Sequence, residues 1–153
     1  MVWRQDHMIP EPFLVITGMS YLLPAWLAWR SGFTYSAISN LALCATTMGF
    51  HWFRTQQFFE LDVLAILNYN LCAAYNLPRA GWPAAGVWGL ATGYSVYSYF
   101  VGQQLGILSW DPDWNTQMIF HGLIHLSTAY TSWICFTKRL ENGEGVCKLE
   151  LPT

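Results

Sequence analysis

Long apolar runs with almost no charge inside them dominate this sequence. Each run is close to the length, about 20 residues, that an α-helix needs to cross a bilayer. The runs cover residues 13–29, 33–53, 61–77, 84–108 and 118–136. Only 10% of the 153 residues are charged, against about a quarter in soluble domains. The sequence therefore predicts an all-α fold, a polytopic membrane helical bundle in which one integral membrane domain contains about five transmembrane helices.

Helix-breaking and small residues punctuate the runs. Pro24 interrupts the first run and is expected to kink it, because proline removes a backbone donor. In the fourth run Ala85, Gly89 and Gly93 repeat every four residues. This spacing places small residues on one stripe, against which a neighbouring helix is expected to pack. From Lys138 onward the tail is polar, and it is expected to be loosely ordered.

Basic residues are unevenly divided between the two predicted sides of the membrane. Five spans place the termini on opposite sides. The side of the C-terminus then carries Arg30, Arg79, Lys138, Arg139 and Lys148, and the other side carries Arg4 and Arg54. This bias predicts a C-terminus in the cytosol, or in the matrix or stroma of an organelle. The net charge of −2 and the lack of a basic run predict no nucleic-acid partner. Because the runs are predicted to span a membrane, membrane lipids are the expected neighbours.

Four ionisable residues lie in or beside the apolar runs, all toward the same predicted side of the membrane. His51 is near the end of the second run, Asp62 opens the third, and His121 and His125 fall in the first turns of the fifth. Ionisable groups at such depth are costly and indicate a functional site. His121 and His125 share a helix face. Together with a third histidine, such a pair forms the ligand set of an open zinc site.

The sequence thus predicts Zn²⁺ bound by His51, His121 and His125, with two catalytic candidates beside it. Asp62 is expected either to support a zinc ligand by a hydrogen bond from outside the coordination sphere, or to act as the base on zinc-bound water. Thr47 precedes His51 by one turn on the same helix face. Its hydroxyl is expected to hydrogen-bond the acid, the water or an oxyanion.

This arrangement resembles the motif of the CREST superfamily, which includes the alkaline ceramidases and the progestin and adiponectin receptors. Thr47-x-x-x-His51, Asp62 eleven positions on, and His121-x-x-x-His125 follow the family's order of serine, histidine, aspartate and two histidines. The resemblance implies an intramembrane zinc hydrolase that acts on a lipid amide. It implies the three histidines as zinc ligands and the other two residues as supporting groups. The chain has threonine in place of the family's serine, and five spans in place of its usual seven.

Other interpretations of the same residues stay open at this point. The histidines could hydrogen-bond neighbouring helices, or His51 and one of the pair could ligate a haem. Asp62 could cap the third helix, and Thr47 could bond a carbonyl of its own helix. A compact bundle with short loops also suits a non-catalytic accessory subunit of a respiratory or photosynthetic membrane complex. Its metal site would then be a relic or a structural staple.

Overall fold

A computed structural model describes residues 10–145, and every regular element in this part of the chain is helical. There are five helices, and each predicted apolar run overlaps one of them. They are α1 (Pro12–Arg30), α2 (Thr34–Phe53), α3 (Gln56–Ala80), α4 (Trp82–Val96, continued by a π-helix Tyr97–Gly102 and by Gln103–Leu105) and α5 (Trp114–Glu141). A 3₁₀ turn, Leu108–Trp110, connects α4 to α5. The predicted all-α fold is confirmed for these residues.

Among the described helices, α1 alone is long and apolar enough to span a membrane by length and composition, with a mean hydropathy of 1.3. One such helix near an N-terminus is weak evidence for a membrane protein. The other helices carry more polar side chains, such as Asn68 and Asn70 on α3. The predicted bundle of five spanning helices therefore stays a prediction.

Pro24 changes the geometry of α1 without ending it. The prolyl ring offers no N–H to the carbonyl of Ser20, one turn earlier. The helix tightens to a 3₁₀ turn over Met19–Tyr21 and then continues as Leu22–Arg30. The irregularity expected at this proline is therefore a short tightened turn.

Helix α5 packs against α1, α3 and α4, and α2 packs against α1 and α3. Buried polar groups join these helices. Tyr69 of α3 donates a hydrogen bond to the carbonyl of Thr128 at 2.8 Å and accepts one from Ser132 at 3.0 Å. Tyr21 of α1 reaches the Thr128 hydroxyl at 2.6 Å. Because buried polar groups need such partners, these bonds fix how the helices face one another.

The C-terminal end of α5 is better ordered than its polar sequence predicted. The helix continues to Glu141, and Arg139 is only 6% exposed. Its guanidinium donates to Asn76 of α3 and to Glu144, and it lies 3.9 Å from the centre of the Phe33 ring. The expectation of a loose tail from Lys138 is therefore wrong as far as Glu144, because a buried cation holds this segment against α3.

The other end of α5 has a regular cap. Asp113 precedes the helix, and its Oδ2 accepts the backbone N–H of Thr116 at 2.8 Å. The side chain and then the backbone of Thr116 hold the pKa of the Asp113 carboxyl below its ordinary value. This cap fixes where α5 begins, and His121 and His125 follow about two and three turns into the helix.

The small-residue stripe of α4 faces away from the bundle. Ala84 is fully buried and packs with Ala80 and Cys135. A Cβ added at Gly89 or Gly93 would meet no described atom within 4 Å. The prediction that a neighbouring helix packs on this stripe is therefore wrong within the described part of the chain, since α4 uses a different face against α3 and α5.

Gly122 sets a close approach between α5 and α1, one residue after His121. A Cβ at this position would lie 2.7 Å from the ring of Phe13 and 3.2 Å from the Thr17 methyl group. We expect Gly122→Ala to lower the free energy of unfolding by about 1–3 kcal/mol, because the extra methyl overpacks this contact. Thermal or denaturant unfolding in detergent measures the change.

The matched control is Gly89→Ala, the same exchange on an open face. It should be neutral or stabilise the protein by up to about 1 kcal/mol, since alanine favours the helix. Equal stabilities of the two variants would contradict the packing of α1 on α5.

Candidate metal centre

His51 lies in the last turn of α2, 1% exposed, and its ring is held by Glu11 at the start of α1. The Nδ1 atom is 2.6 Å from Glu11 Oε2, and the Glu11 backbone N–H donates to the His51 carbonyl at 2.9 Å. Because a carboxylate only accepts, Nδ1 carries the hydrogen. In the neutral ring, Nε2 therefore keeps the lone pair that a metal ion needs.

Glu11 is itself 2% exposed and has a cationic partner. Arg54 donates a hydrogen bond to Glu11 Oε2 at a distance of 2.7 Å. Arg54 caps the C-terminal end of α2 in a left-handed backbone conformation, with φ 52°. Removing either member of a buried ion pair leaves an uncompensated charge. The ion pair therefore keeps the Glu11 carboxylate beside His51.

His121 and His125 occupy successive turns of α5, as their spacing predicted. His125 is 5% exposed, and its Nδ1 lies 2.9 Å from Thr17 Oγ1 on α1. The Thr17 hydroxyl donates to the carbonyl of Leu14 at 3.1 Å, so it accepts from His125 Nδ1–H. As in His51, the lone pair is left on Nε2.

The three histidines converge. Their ring centres are 4.9 Å apart for His51 and His121, 5.2 Å for His51 and His125, and 5.1 Å for His121 and His125. One ring nitrogen from each lies within 4.8 Å of the other two. Zinc bonds of 2.0–2.1 Å place tetrahedral nitrogens about 3.3 Å apart, so small inward movements suffice. The donor set and its hydrogen-bond partners fit a metal ion.

Asp62 and Thr47 also meet. The carboxylate of Asp62, on α3, accepts hydrogen bonds at Oδ1 from Thr47 Oγ1 at 2.8 Å and from Thr46 Oγ1 at 3.0 Å. Thr47 is 2% exposed and Asp62 is 9% exposed. Thr47 precedes His51 by four residues on α2, so these hydrogen bonds hold the acid one turn from His51.

Two of the alternative interpretations do not fit this geometry: Asp62 as the cap of α3, and Thr47 as a hydroxyl bonded to its own helix. The cap of α3 is Thr55, whose hydroxyl accepts from the N–H of Phe58, and Asp62 lies well inside the helix. The helix begins earlier than the apolar run because Thr55 is a good N-cap residue. Thr47 gives its hydroxyl hydrogen to Asp62, whereas Thr46 shares its single hydroxyl hydrogen between Asp62 and the carbonyl of Leu43 on its own helix.

Sequence reasoning missed four contributors to this site: Glu11, Thr17, Thr46 and Tyr99. Tyr99 lies on the π-helical part of α4, with its hydroxyl 3.2 Å from His121 Nε2. Glu11 had a usable signal, since it is an acid at the start of an apolar run on the predicted side of His51. The other three carry no signal in the sequence, because the apolar runs contain many threonines and tyrosines.

Comparison of the chain with protein-family models, with curated proteins and with solved structures finds no match. The resemblance to the CREST superfamily thus rests on five residues and their order: Thr47, His51, Asp62, His121 and His125.

Proposed function

We propose that this chain is a membrane-embedded, ceramidase-like zinc hydrolase that cleaves a lipid amide. One observation carries the proposal: three imidazoles from α2 and α5 converge, and an outer hydrogen-bond partner fixes the ring nitrogen that each of two of them presents. Glu11 does this for His51, and Thr17 for His125. Metal-binding histidines almost always donate their other ring N–H to such a partner, which fixes the tautomer and the orientation of the ring.

The distribution of apolar side chains supports a membrane location. Large apolar residues are exposed on the outside of the bundle, for example Ile16 (66%), Leu71 (69%) and Leu90 (78%). Asn40, Asn76 and several serines and threonines are instead buried. A soluble protein rarely exposes large contiguous apolar patches. In a bilayer the exposed side chains contact lipid tails, and membrane lipids are then both the surroundings and the source of substrate.

The predicted orientation completes this proposal. The histidines lie near the C-terminal end of α2 and the N-terminal end of α5. Arg139 marks the opposite end of α5. With the C-terminus in the cytosol, matrix or stroma, the site lies toward the other side of the membrane.

The residues divide the chemistry of amide hydrolysis among them. Zinc held by the three imidazoles would polarise the amide carbonyl and lower the pKa of bound water toward about 7. Asp62 has Oδ1 occupied by two threonine hydroxyls, so Oδ2 accepts the proton of the attacking water. That proton leaves on the amine as the C–N bond breaks, which gives a fatty acid and a free amine.

The role of Thr47 is narrower than its sequence position implied. A hydroxyl has one hydrogen, and Thr47 donates it to Asp62. It cannot donate to an oxyanion while that bond is made. Thr47 therefore positions the acid. The methyl group that distinguishes it from serine faces Gly18 of α1, where an added Cβ would lie 3.1 Å from that methyl group.

The test is metal content and activity of the purified chain in mild detergent. We expect about one zinc per chain, as a His₃ site requires, and release of fatty acid from a ceramide-like substrate. Well-folded protein without zinc would contradict the metal site. Protein with zinc that cleaves no lipid amide would contradict the hydrolase and leave the metal site standing.

A second candidate is an accessory subunit of a respiratory or photosynthetic complex, in which the metal has a structural role. The outward stripe of α4 favours it, because a Cβ at Gly89 or Gly93 meets no described atom within 4 Å. Small residues of this kind let a helix of another chain approach closely. On a native gel of a mild-detergent extract, a subunit co-migrates with a large complex, whereas a free-standing hydrolase runs alone.

A further inference from the structure

Tyr99 lies in an unusual stretch of helix. The segment Tyr97–Gly102 is π-helical, and short π-helical stretches within α-helices occur frequently at functional sites. The wider turn changes which side chains face the bundle. Tyr97 and Phe100 are 48% and 67% exposed, while the Tyr99 hydroxyl points to α5 and lies 3.2 Å from His121 Nε2.

The connection between α4 and α5 holds this segment in place. Ser98 is fully buried and donates to the Ser109 hydroxyl at 2.8 Å. The ring of Trp110 packs edge-on against Tyr99, with ring centres 6.3 Å apart. Gly102 accepts the N–H of Ile107 at 3.0 Å, and a Cβ on Gly102 would lie 2.9 Å from the Ile107 carbonyl oxygen. Tyr99 is therefore fixed from both sides along the chain.

We infer that Tyr99 is a positioning residue for His121, and that His121 presents Nδ1 to the metal. The inference rests on the proposed function, since it needs a metal at the three histidines. Tyr99 occupies Nε2 of His121, as Glu11 and Thr17 occupy Nδ1 of their own histidines. A ring nitrogen that shares its lone pair or its hydrogen with a hydroxyl is not free for a metal ion, which leaves Nδ1.

This assignment gives the site a mixed ligand set. His51 and His125 bind through Nε2 and His121 binds through Nδ1. Each imidazole then has one outer partner, and the three partners come from the start of α1, the middle of α1 and the π-helical part of α4. Loss of such a partner typically costs 10–100-fold in metal affinity. Tyr99→Phe removes only the hydroxyl and keeps the ring that packs on Trp110.

The matched control is Tyr94→Phe. Tyr94 lies on the same helix and donates to the carbonyl of Phe120 at 2.8 Å, away from the histidine nitrogens. Titration with Co²⁺ and competition with zinc should give a dissociation constant about 10–100-fold higher in Tyr99→Phe and unchanged in Tyr94→Phe. The Co²⁺ absorption bands should shift in Tyr99→Phe alone, which a merely structural loss would not cause.

A second measurement uses the unaltered protein and so does not depend on the folding of a variant. In the zinc-loaded chain with ¹³C-labelled histidine, ring carbon shifts distinguish Nδ1 from Nε2 ligation. One Nδ1-bound and two Nε2-bound rings are expected. Three Nε2-bound rings, or equal affinity in Tyr99→Phe and the unaltered chain, would overturn this inference alone. A chain that binds no metal would overturn the proposed function as well.

Discussion

Replacement of His125 by alanine is expected to take the zinc content of the purified protein from about one atom per chain to almost none. His125 is 5% exposed and its ring is fixed by Thr17, so it is a rigid ligand. His51 and His121 alone leave two ligands, and no other histidine of the described residues lies near them. Lipid amide hydrolysis should be lost together with the metal.

Cys135→Ala is the control for this variant. Cys135 is a buried side chain on α5, 4% exposed and ten residues beyond His125, and it packs against Ala80 and Ala84. Its loss perturbs the same helix without touching the histidines. Elemental analysis of both variants, with circular dichroism to compare their folding, decides the matter. Full zinc content in His125→Ala would show that the metal is bound elsewhere.

The helices and the meeting of the histidines were predictable from the sequence for a simple reason. The number of apolar runs gives the number of helices, and consecutive helices joined by short loops run in opposite directions. The C-terminal end of the second helix and the N-terminal end of the fifth are therefore expected at the same end of the bundle. His51 near the end of one run and His121 near the start of another were therefore expected at the same end of the bundle. Which end of the bundle a residue occupies does not depend on how its helix is rotated about its axis.

The partners of the histidines depend on those rotations, and they were not predictable. Thr17 contacts His125 because α1 packs closely against α5 at Gly122. Tyr99 contacts His121 because of a π-helical segment, which no residue pattern in the sequence predicts. For the same reason, the stripe at Gly89 does not contact any described helix of this chain, although its spacing favoured close packing. Spacing tells which residues share a face, but not which face the neighbours contact.

Replacement of Asp62 by asparagine is expected to lower kcat for amide hydrolysis by about 10²–10⁴-fold while leaving zinc in place. The amide has the shape of the carboxyl group, and its oxygen still accepts the hydroxyls of Thr46 and Thr47. Its nitrogen, in the place of Oδ2, cannot take a proton from water. Retained zinc with a low rate separates this role from that of a metal ligand, whose loss removes both.

Glu60→Gln gives the matched control, since it makes the same change of acid to amide two residues earlier on α3. Glu60 is exposed and accepts a hydrogen bond only from Gln56 on its own helix, at 2.9 Å, among the contacts described. Its substitution should leave both kcat and zinc content unchanged. If Asp62→Asn hydrolysed lipid amide as fast as Glu60→Gln does, another group would have to accept the proton. Because two threonine hydroxyls hold the buried Asp62 against α2, one turn before His51, that outcome would leave this carboxylate with a structural role only.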